Sequence, residues 1–171
     1  MTSYPIRLFG DPVLKQPAAA VVDVDGRFVA QVEAMYDTMY DARGVGLAAP
    51  QVGIGQRFFV YDVGDGEEPQ VLLNPHVVAT EGEWTYEEGC LSMPGLAVEI
   101  VRPKLVTVQA TDLDGNEVVV QGDELLGRCF LHEIDHLDGV LMFDRMDRAA
   151  RKAALKEYRE NGPRNGAAHP L

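Results

Sequence analysis

The sequence predicts an α+β fold, in which antiparallel β-strands pack around a buried central helix and an amphipathic helix follows near the C-terminus. Two segments of alternating apolar and polar residues flank the turn at Asp114-Gly115, as in a β-hairpin. The segment after Asp123 is apolar on most sides, as expected of a helix inside a core. Strand-like segments precede this helix along the chain, and that order favours the α+β class.

The N-terminal half contains one predicted helix and two predicted strands. Apolar residues recur every three or four positions over residues 26–40, which predicts a helix, and Gly44 is suited to end it. Residues 44–51 follow neither the helical nor the strand period, so we expect a loop there. Residues 57–63 and 70–73 are rich in Val, Phe, Tyr and Leu and are predicted to be strands.

The C-terminal half contains the hairpin and two helices. Residues 104–111 and 118–120 are the strands of the hairpin. Asp123 is suited to cap the central helix, which we expect to reach Gly139. Residues 145–160 have an amphipathic pattern and are predicted to form the last helix, whereas residues 161–171 are rich in Gly, Pro and Asn and are predicted to be a flexible tail.

Length and composition indicate a single soluble domain. The chain has 171 residues, of which 46% are hydrophobic and 25% are charged, both ordinary values for a globular protein. No apolar run approaches the roughly 18 residues of a membrane span, so we expect no membrane partner. The net charge of −12 argues against a broad nucleic-acid-binding surface, and we expect no DNA partner. Two cysteines do not make a disulfide framework, and the N-terminus lacks a secretory pattern, so we expect a cytoplasmic location.

Residues 132–136, His-Glu-Ile-Asp-His, have the spacing of a metal site on a helix. Residues four apart lie on one helix face, about 6 Å apart along the axis, so His132 and His136 can bind one ion. Glu133, beside the first ligand, is then placed to act as an acid/base. A catalytic site of this kind needs a third protein ligand and leaves one position open. The simpler alternative is a core helix with two hydrogen-bonded histidines.

Two candidates for the third ligand lie on the C-terminal helices. Cys129 is separated from His136 by about 10.5 Å of helix axis, too far for ligands that lie near 2.0–2.3 Å from one ion. We therefore expect Cys129 to pack beside the site. Glu157 follows His136 by 21 residues, a spacing close to that of thermolysin-like peptidases, although it stands among charged residues that suggest a solvated surface.

Cys90 is the better third ligand. It lies in a segment, residues 88–95, where glycines free the backbone to bring a side chain to a site. A single cysteine is more often a small buried residue, but the two histidines elsewhere reverse that preference. A soft thiolate ligand suits iron or zinc better than magnesium or calcium.

Three segments together resemble the signature motifs of the peptide deformylases: residues 44–51 (GVGLAAPQ), 88–92 (EGCLS) and 132–136 (HEIDH). They occur in the family's order, and the resemblance extends over residues 5–147. It implies an enzyme that removes the N-formyl group from the initiator formylmethionine of nascent polypeptides and releases formate. It also implies Fe2+ as the native metal, with Ni2+, Co2+ or Zn2+ able to substitute.

The resemblance also implies roles for individual residues. By motif position, the metal ligands are Cys90, His132 and His136. Glu133 is the acid/base, and Gln51 and the backbone N–H of Leu91 hold the oxyanion. The implied substrate-binding residues are Gly44, Val45, Gly46, Tyr86, Glu88, Gly89, Leu125, Arg128 and Cys129. Residues 1–147 would be the catalytic domain, 145–160 a basic helix of the same domain, and 161–171 a tail.

The C-terminal segment differs in charge from the rest of the chain. Residues 144–171 contain seven basic and four acidic residues, a net +3, which leaves −15 for residues 1–143. Either this helix is a solvated face paired with its own acidic residues, or it contacts ribosomal RNA near the nascent chain.

Two other functions compete with deformylation. One is a small zinc peptidase that uses His132, His136 and Glu157 as ligands. The other is a non-catalytic domain stapled by a closed metal site with four protein ligands, which would not need Glu133.

Overall fold

The computed structural model describes residues 3–162. Within this range the strands are β1 (Gly46–Ala48), β2 (Phe58–Tyr61), β3 (Gln70–Glu81), β4 (Trp84–Gly89), β5 (Ala97–Arg102), β6 (Leu105–Thr111) and β7 (Glu117–Asp123). The α-helices are α1 (Gly26–Asp41), α2 (Glu124–Leu137) and α3 (Arg148–Asn161). Short 3-10 turns cover Pro12–Lys15, Ala49–Val52 and Met142–Arg145.

The strands form two antiparallel sheets around α2. The larger sheet has the order β1-β2-β3-β6-β7, and β4 pairs with β5 in a separate two-stranded sheet. Helix α2 packs against β1, β6 and β7, and its apolar residues form one core with the larger sheet. The predicted α+β class, the buried central helix and the C-terminal helix are confirmed.

Helix α2 is set directly onto the sheet by its sequence. The side chain of Asp123 accepts a hydrogen bond from the Glu124 N–H at 2.9 Å and so caps the helix, as predicted. A Cβ on Gly127 would lie 2.7 Å from the Gly122 carbonyl oxygen and 3.0 Å from that of Lys104. Only glycine permits this close approach, which sets the first turn of α2 against the sheet.

The sequence predictions were wrong in several places. Residues 44–51 are not a plain loop, because β1 pairs with β2 and the following residues form a 3-10 turn. Strands β4 and β5 were missed, since their polar residues mask the alternating pattern. Strand β3 continues to Glu81, beyond the predicted end at 73. Helix α3 begins at Arg148 rather than at 145, because Asp147 caps it by accepting from the Ala150 N–H at 2.8 Å.

Helix α3 is the last element of the described part of the chain. Helix α3 packs Ala154 into a core that also contains Cys90, Met93 and Phe143. Within residues 3–162, none of the helices is long and apolar enough to cross a membrane. Helix α3 includes Asn161, and residues 163–171 of the predicted tail lie outside the described residues.

Candidate metal centre

The three predicted ligands meet in the core. The donor atoms of Cys90, His132 and His136 all lie within 4.8 Å of one another, and all three residues are buried. The Nε2 atoms of the two histidines are 3.2 Å apart, and Cys90 Sγ is 3.4 Å from His136 Nε2. Nitrogen and sulfur ligands of one tetrahedral ion lie roughly 3.3–3.6 Å apart, given bond lengths near 2.0 and 2.3 Å. The donor set therefore fits one metal ion.

Two separate elements bring these donors together. The histidines occupy successive turns of α2, so both imidazoles leave the same helix face. Cys90 directly follows β4, whose last residue, Gly89, pairs with Ala97 of β5. A tight turn after Cys90, closed by a 2.9 Å bond from the Met93 N–H to the Cys90 carbonyl, aims the thiol at the helix. The glycines around Cys90 indicated a segment able to carry a side chain to a site, but the sequence does not specify this turn or its direction.

Glu88 orients the first histidine. Its Oε1 lies 2.6 Å from His132 Nδ1, which leaves Nε2 to face the centre. Arg102 donates two hydrogen bonds to the carboxylate, at 2.8 and 2.7 Å, and Arg128 donates a third at 2.8 Å. Burial alone would raise the pKa of Glu88, but hydrogen bonds and charges from His132 and Arg102 outweigh it and hold the pKa well below its usual range.

Glu88 has contacts that its predicted substrate-binding role does not include. The residue is fully buried, and both carboxylate oxygens are already taken by His132 and the two arginines. The guanidinium of Arg128 is likewise buried, and two of its nitrogens donate, one to Glu88 and one to the Trp84 carbonyl at 2.6 Å. These polar groups support the centre through Glu88 and His132, and their contact with a bound peptide stays a prediction.

The ion-pair network extends to the end of α2. Arg102 donates to Asp135 at 2.8 Å, and Arg145 donates to the same carboxylate at 3.0 and 2.7 Å. Sequence reasoning assigned no role to Arg102 or Asp135. Asp135 could have been noticed because it stands inside the His-Glu-Ile-Asp-His motif. Arg102 could not, because only the pairing of β4 with β5 brings its strand beside the strand of Glu88.

Glu133 lies beside the ligands and is buried. It is 1% exposed, and its Oε2 has no hydrogen-bond partner in the described part of the chain. Burial is the main reason that the pKa of Glu133 is raised to about 7, with the nearby Glu88 charge adding to it and that of His132 opposing it. A carboxyl group with this pKa can both accept and return a proton near neutral pH.

Gln51 and Leu91 flank the thiol. The side-chain Nε2 of Gln51 donates to Ser92 Oγ at 3.1 Å and lies 3.8 Å from Cys90 Sγ. Its Oε1 accepts from the Ala48 N–H at 2.9 Å, which fixes the direction of the amide. The Leu91 N–H donates no backbone hydrogen bond within residues 3–162. Ser92, which is fully buried, was missed as a contributor to this group.

The other predicted substrate residues surround the same region. Val45, Tyr86 and Leu125 are partly buried. Cys129 is fully buried, with Sγ 3.7 Å from the Val45 carbonyl, and burial raises the pKa of its thiol well above the usual range. A Cβ on Gly46 would lie 2.6 Å from Glu133 Oε1. Gly44, Gly46 and Gly89 are all buried.

Glu157 does not join the centre. It is exposed on α3, and among residues 3–162 the clustered ligand set contains only Cys90 and the two histidines. The ligand set of the zinc-peptidase alternative is therefore wrong. A closed site with four protein ligands is also not formed by the described residues, which argues against a purely structural metal.

Known sequences that are similar to this chain are deformylases. A sequence model of the polypeptide deformylase family matches residues 3–152. The peptide deformylase of Acidothermus cellulolyticus is 47% identical over 160 residues, which are 94% of this chain and 88% of that protein. That of Acidobacterium capsulatum is 45% identical over 159 residues, 91% of this chain and 94% of that protein.

Solved structures agree as well. The crystal structure of a peptide deformylase from Legionella pneumophila superposes with a TM-score of 0.88 at 40% identity, covering 94% of this chain and 95% of that one. A peptide deformylase from Synechococcus elongatus in complex with actinonin gives a TM-score of 0.87 at 38% identity, covering 100% and 94% of the two chains.

Proposed function

Because this chain belongs to the polypeptide deformylase family and is a peptide deformylase, we propose that Cys90, His132 and His136 hold its metal ion and that Glu133 moves the proton in the reaction. The enzyme removes the formyl group from N-formylmethionyl nascent peptides and releases formate. The observation that supports the residue assignment is the buried convergence of one thiol and two imidazole nitrogens within 4.8 Å.

The metal is Fe2+ in this proposal, and Ni2+, Co2+ or Zn2+ can replace it. One soft thiolate and two imidazoles suit these ions better than magnesium or calcium, which prefer oxygen ligands. When bound, such an ion supplies Lewis acidity, which polarises a carbonyl oxygen and makes water easier to deprotonate.

Glu133 acts at its unpartnered Oε2. With a pKa raised to about 7, this carboxylate accepts a proton from the attacking water and returns it to the amine nitrogen that leaves. The return of the proton is needed because an unprotonated amide nitrogen is a poor leaving group. Burial keeps bulk water from competing for that proton.

Gln51 and Leu91 stabilise the negative oxygen of the tetrahedral intermediate. The Gln51 amide donates one N–H to Ser92 Oγ at 3.1 Å and the other to Cys90 Sγ at 3.8 Å, and in this proposal the second N–H turns from the thiol to the oxyanion. The Leu91 N–H donates no backbone hydrogen bond within residues 3–162. A preorganised donor of this kind contributes about 2.7–4 kcal/mol to transition-state stabilisation.

The peptide binds between two sheet edges. β1 is an edge strand of the larger sheet, and β4 has one neighbouring strand, so each can pair with a bound peptide at Gly46 and Gly89. The methionine side chain then lies near Val45, Leu125 and Cys129. Actinonin, which accompanies the Synechococcus enzyme, should bind at this same place.

The direct test is formate release from N-formyl-Met-Ala-Ser by protein kept anaerobic with one equivalent of Fe2+. We expect turnover by the wild type and a loss of about 10²–10⁴-fold in kcat for Glu133→Ala with metal retained. Absence of formate from fully metallated wild type would overturn the proposal. A Glu157→Ala variant with unchanged metal content and turnover serves as the control.

We also propose that the enzyme acts in the cytoplasm at the ribosome. In this proposal the exposed face of α3 contacts the ribosome. Arg148, Lys152 and Arg159 are exposed there, and the helix is buried mainly through Ala154. Charge reversal of Lys152 and Arg159 should weaken salt-dependent binding to ribosomes while kcat on the tripeptide stays unchanged. Equal binding by the charge-reversed and wild-type proteins would exclude this contact.

A further inference from the structure

The two proposed oxyanion donors lie on different parts of the fold. Gln51 belongs to the 3-10 turn that follows β1 of the larger sheet, whereas Leu91 follows β4 of the small sheet. No strand pairing joins β1 to β4 within the described residues. Their relative position therefore depends on other contacts.

Residues 7–9 supply backbone contacts between these two segments. The Arg7 N–H donates to the Gln51 carbonyl at 2.6 Å, and the Phe9 N–H donates to the Ser92 carbonyl at 2.8 Å. Two residues of chain span at most about 7 Å, so this short strap limits the separation of the two carbonyls. Both acceptors adjoin or belong to the donor-bearing residues.

Both sides of the strap are anchored. The Tyr4 N–H donates to Thr38 Oγ1 at 2.8 Å, on α1. The Arg7 guanidinium lies against Gly53, where a Cβ would approach it to 3.0 Å. The ring of Phe9 packs edge-on against Phe143 and Tyr158, with centroids 5.2 and 5.8 Å apart. The strap thus connects the core under α1 with the core under α3.

We propose that Arg7 and Phe9 are positioning residues for the deformylase reaction, acting through their backbone N–H groups to hold the Gln51 and Leu91 donors in register. This inference rests on the proposed roles of those two donors. Neither strap residue needs to touch the substrate. Loosening the strap should lower kcat more than it raises KM, because the donors act on charge that develops in the transition state.

Proline substitution tests the N–H groups, since proline has none. Arg7→Pro is compared with Arg7→Ala, and Phe9→Pro with Phe9→Ala, so that side-chain loss is matched within each pair. Leu8→Pro is the proline control, because the Leu8 N–H donates no backbone hydrogen bond within residues 3–162. We expect kcat to fall by about 10-fold for each proline variant relative to its alanine partner, a fraction of the 10²–10³-fold effect of losing a whole donor.

The decisive measurement repeats the comparison in a Gln51→Ala background. If Arg7 acts through Gln51, the same proline lowers kcat there by less than about 2-fold, because coupled residues are not additive. Metal content and thermal unfolding are measured for every variant. An equal loss in both backgrounds, a change in KM alone, or unchanged kcat in folded proline variants would overturn the inference. Inactive wild type would instead refute the proposed function.

Discussion

Gly46→Ala is expected to disable the enzyme by moving Glu133. The added Cβ would lie 2.6 Å from Glu133 Oε1 and 2.9 Å from Cys129 Sγ. Ordinary contacts begin near 3.4 Å, so the carboxylate must withdraw by about 0.8 Å. Glu133 is only 1% exposed, so this displacement takes place inside the core.

The size of the effect follows from this displacement. Misplacing a reacting group by about 1 Å can cost 10²-fold in rate, so we expect a fall of about 10²-fold in kcat. Overpacking a core costs about 1–3 kcal/mol, which corresponds to a Tm lower by roughly 2–12 °C in a domain of this size. The metal should stay bound, because the clash does not involve the three ligands.

The assay measures kcat, KM, metal content and Tm with N-formyl-Met-Ala-Ser as substrate. Gly55→Ala is the matched control, since a Cβ there meets nothing within 4 Å. In a second comparison, Glu133→Asp shortens the side chain and removes the contact with Oε1, so Gly46→Ala should lower kcat much less in that background, whereas the 2.9 Å contact with Cys129 Sγ remains and should still lower Tm. Near-normal kcat in Gly46→Ala, or a loss of the same size in the Glu133→Asp background, would refute the reasoning.

Three further predictions concern the metal and the fold. Cys90→Ser should reduce metal per protein after desalting, and retention at the wild-type level would contradict the proposed ligand set. Glu88→Gln should weaken metal binding in a chelator competition by about 10–100-fold, because a histidine ligand loses its orienting carboxylate, whereas the exposed neighbour Glu87→Gln should match wild type. Burial would raise the pKa of Asp144, but its 2.6 Å bond to Lys15 outweighs that effect and lowers the pKa below the usual value near 3.8. The pair therefore stabilises the fold above that value and stops doing so as pH falls through the lowered pKa, so the Tm difference between wild type and Asp144→Asn should shrink below about pH 4. A difference that is constant with pH would show that the carboxylate charge is not the cause.

The helical part of the fold was accessible from sequence because its signals are local. Asp123 caps α2 through its own neighbour, and the apolar positions of α1 and α2 repeat with the helical period. The small sheet was not accessible in this way. Strands β4 and β5 pair residues such as Glu87 with Glu99. This pairing depends on the tertiary fold, and neither segment has a local sequence pattern that predicts it.

The same distinction applies within the site. Spacing on one helix identifies His132 and His136 as a pair, and helix geometry excludes Cys129 as their partner. The role of Glu88 could not be read in this way, because the residue reaches His132 across 44 positions. The motif predicted contact with the substrate, which stays a prediction, whereas the bond to His132 becomes visible only in the folded chain.

The glycines of the first motif have a more specific cause than loop flexibility. A Cβ on Gly44 would lie 2.6 Å from Leu91 Cδ1, and a Cβ on Gly46 would lie 2.6 Å from Glu133 Oε1. Each glycine therefore permits close contact with a residue of another motif, Gly44 with the second and Gly46 with the third. Neither has the positive φ that would explain glycine by backbone conformation. At these two positions the first motif presents backbone without side chains, against which the proposed oxyanion segment and the proposed acid/base residue are packed. This closeness explains why three short segments, distant in sequence, must occur together for the reaction to proceed.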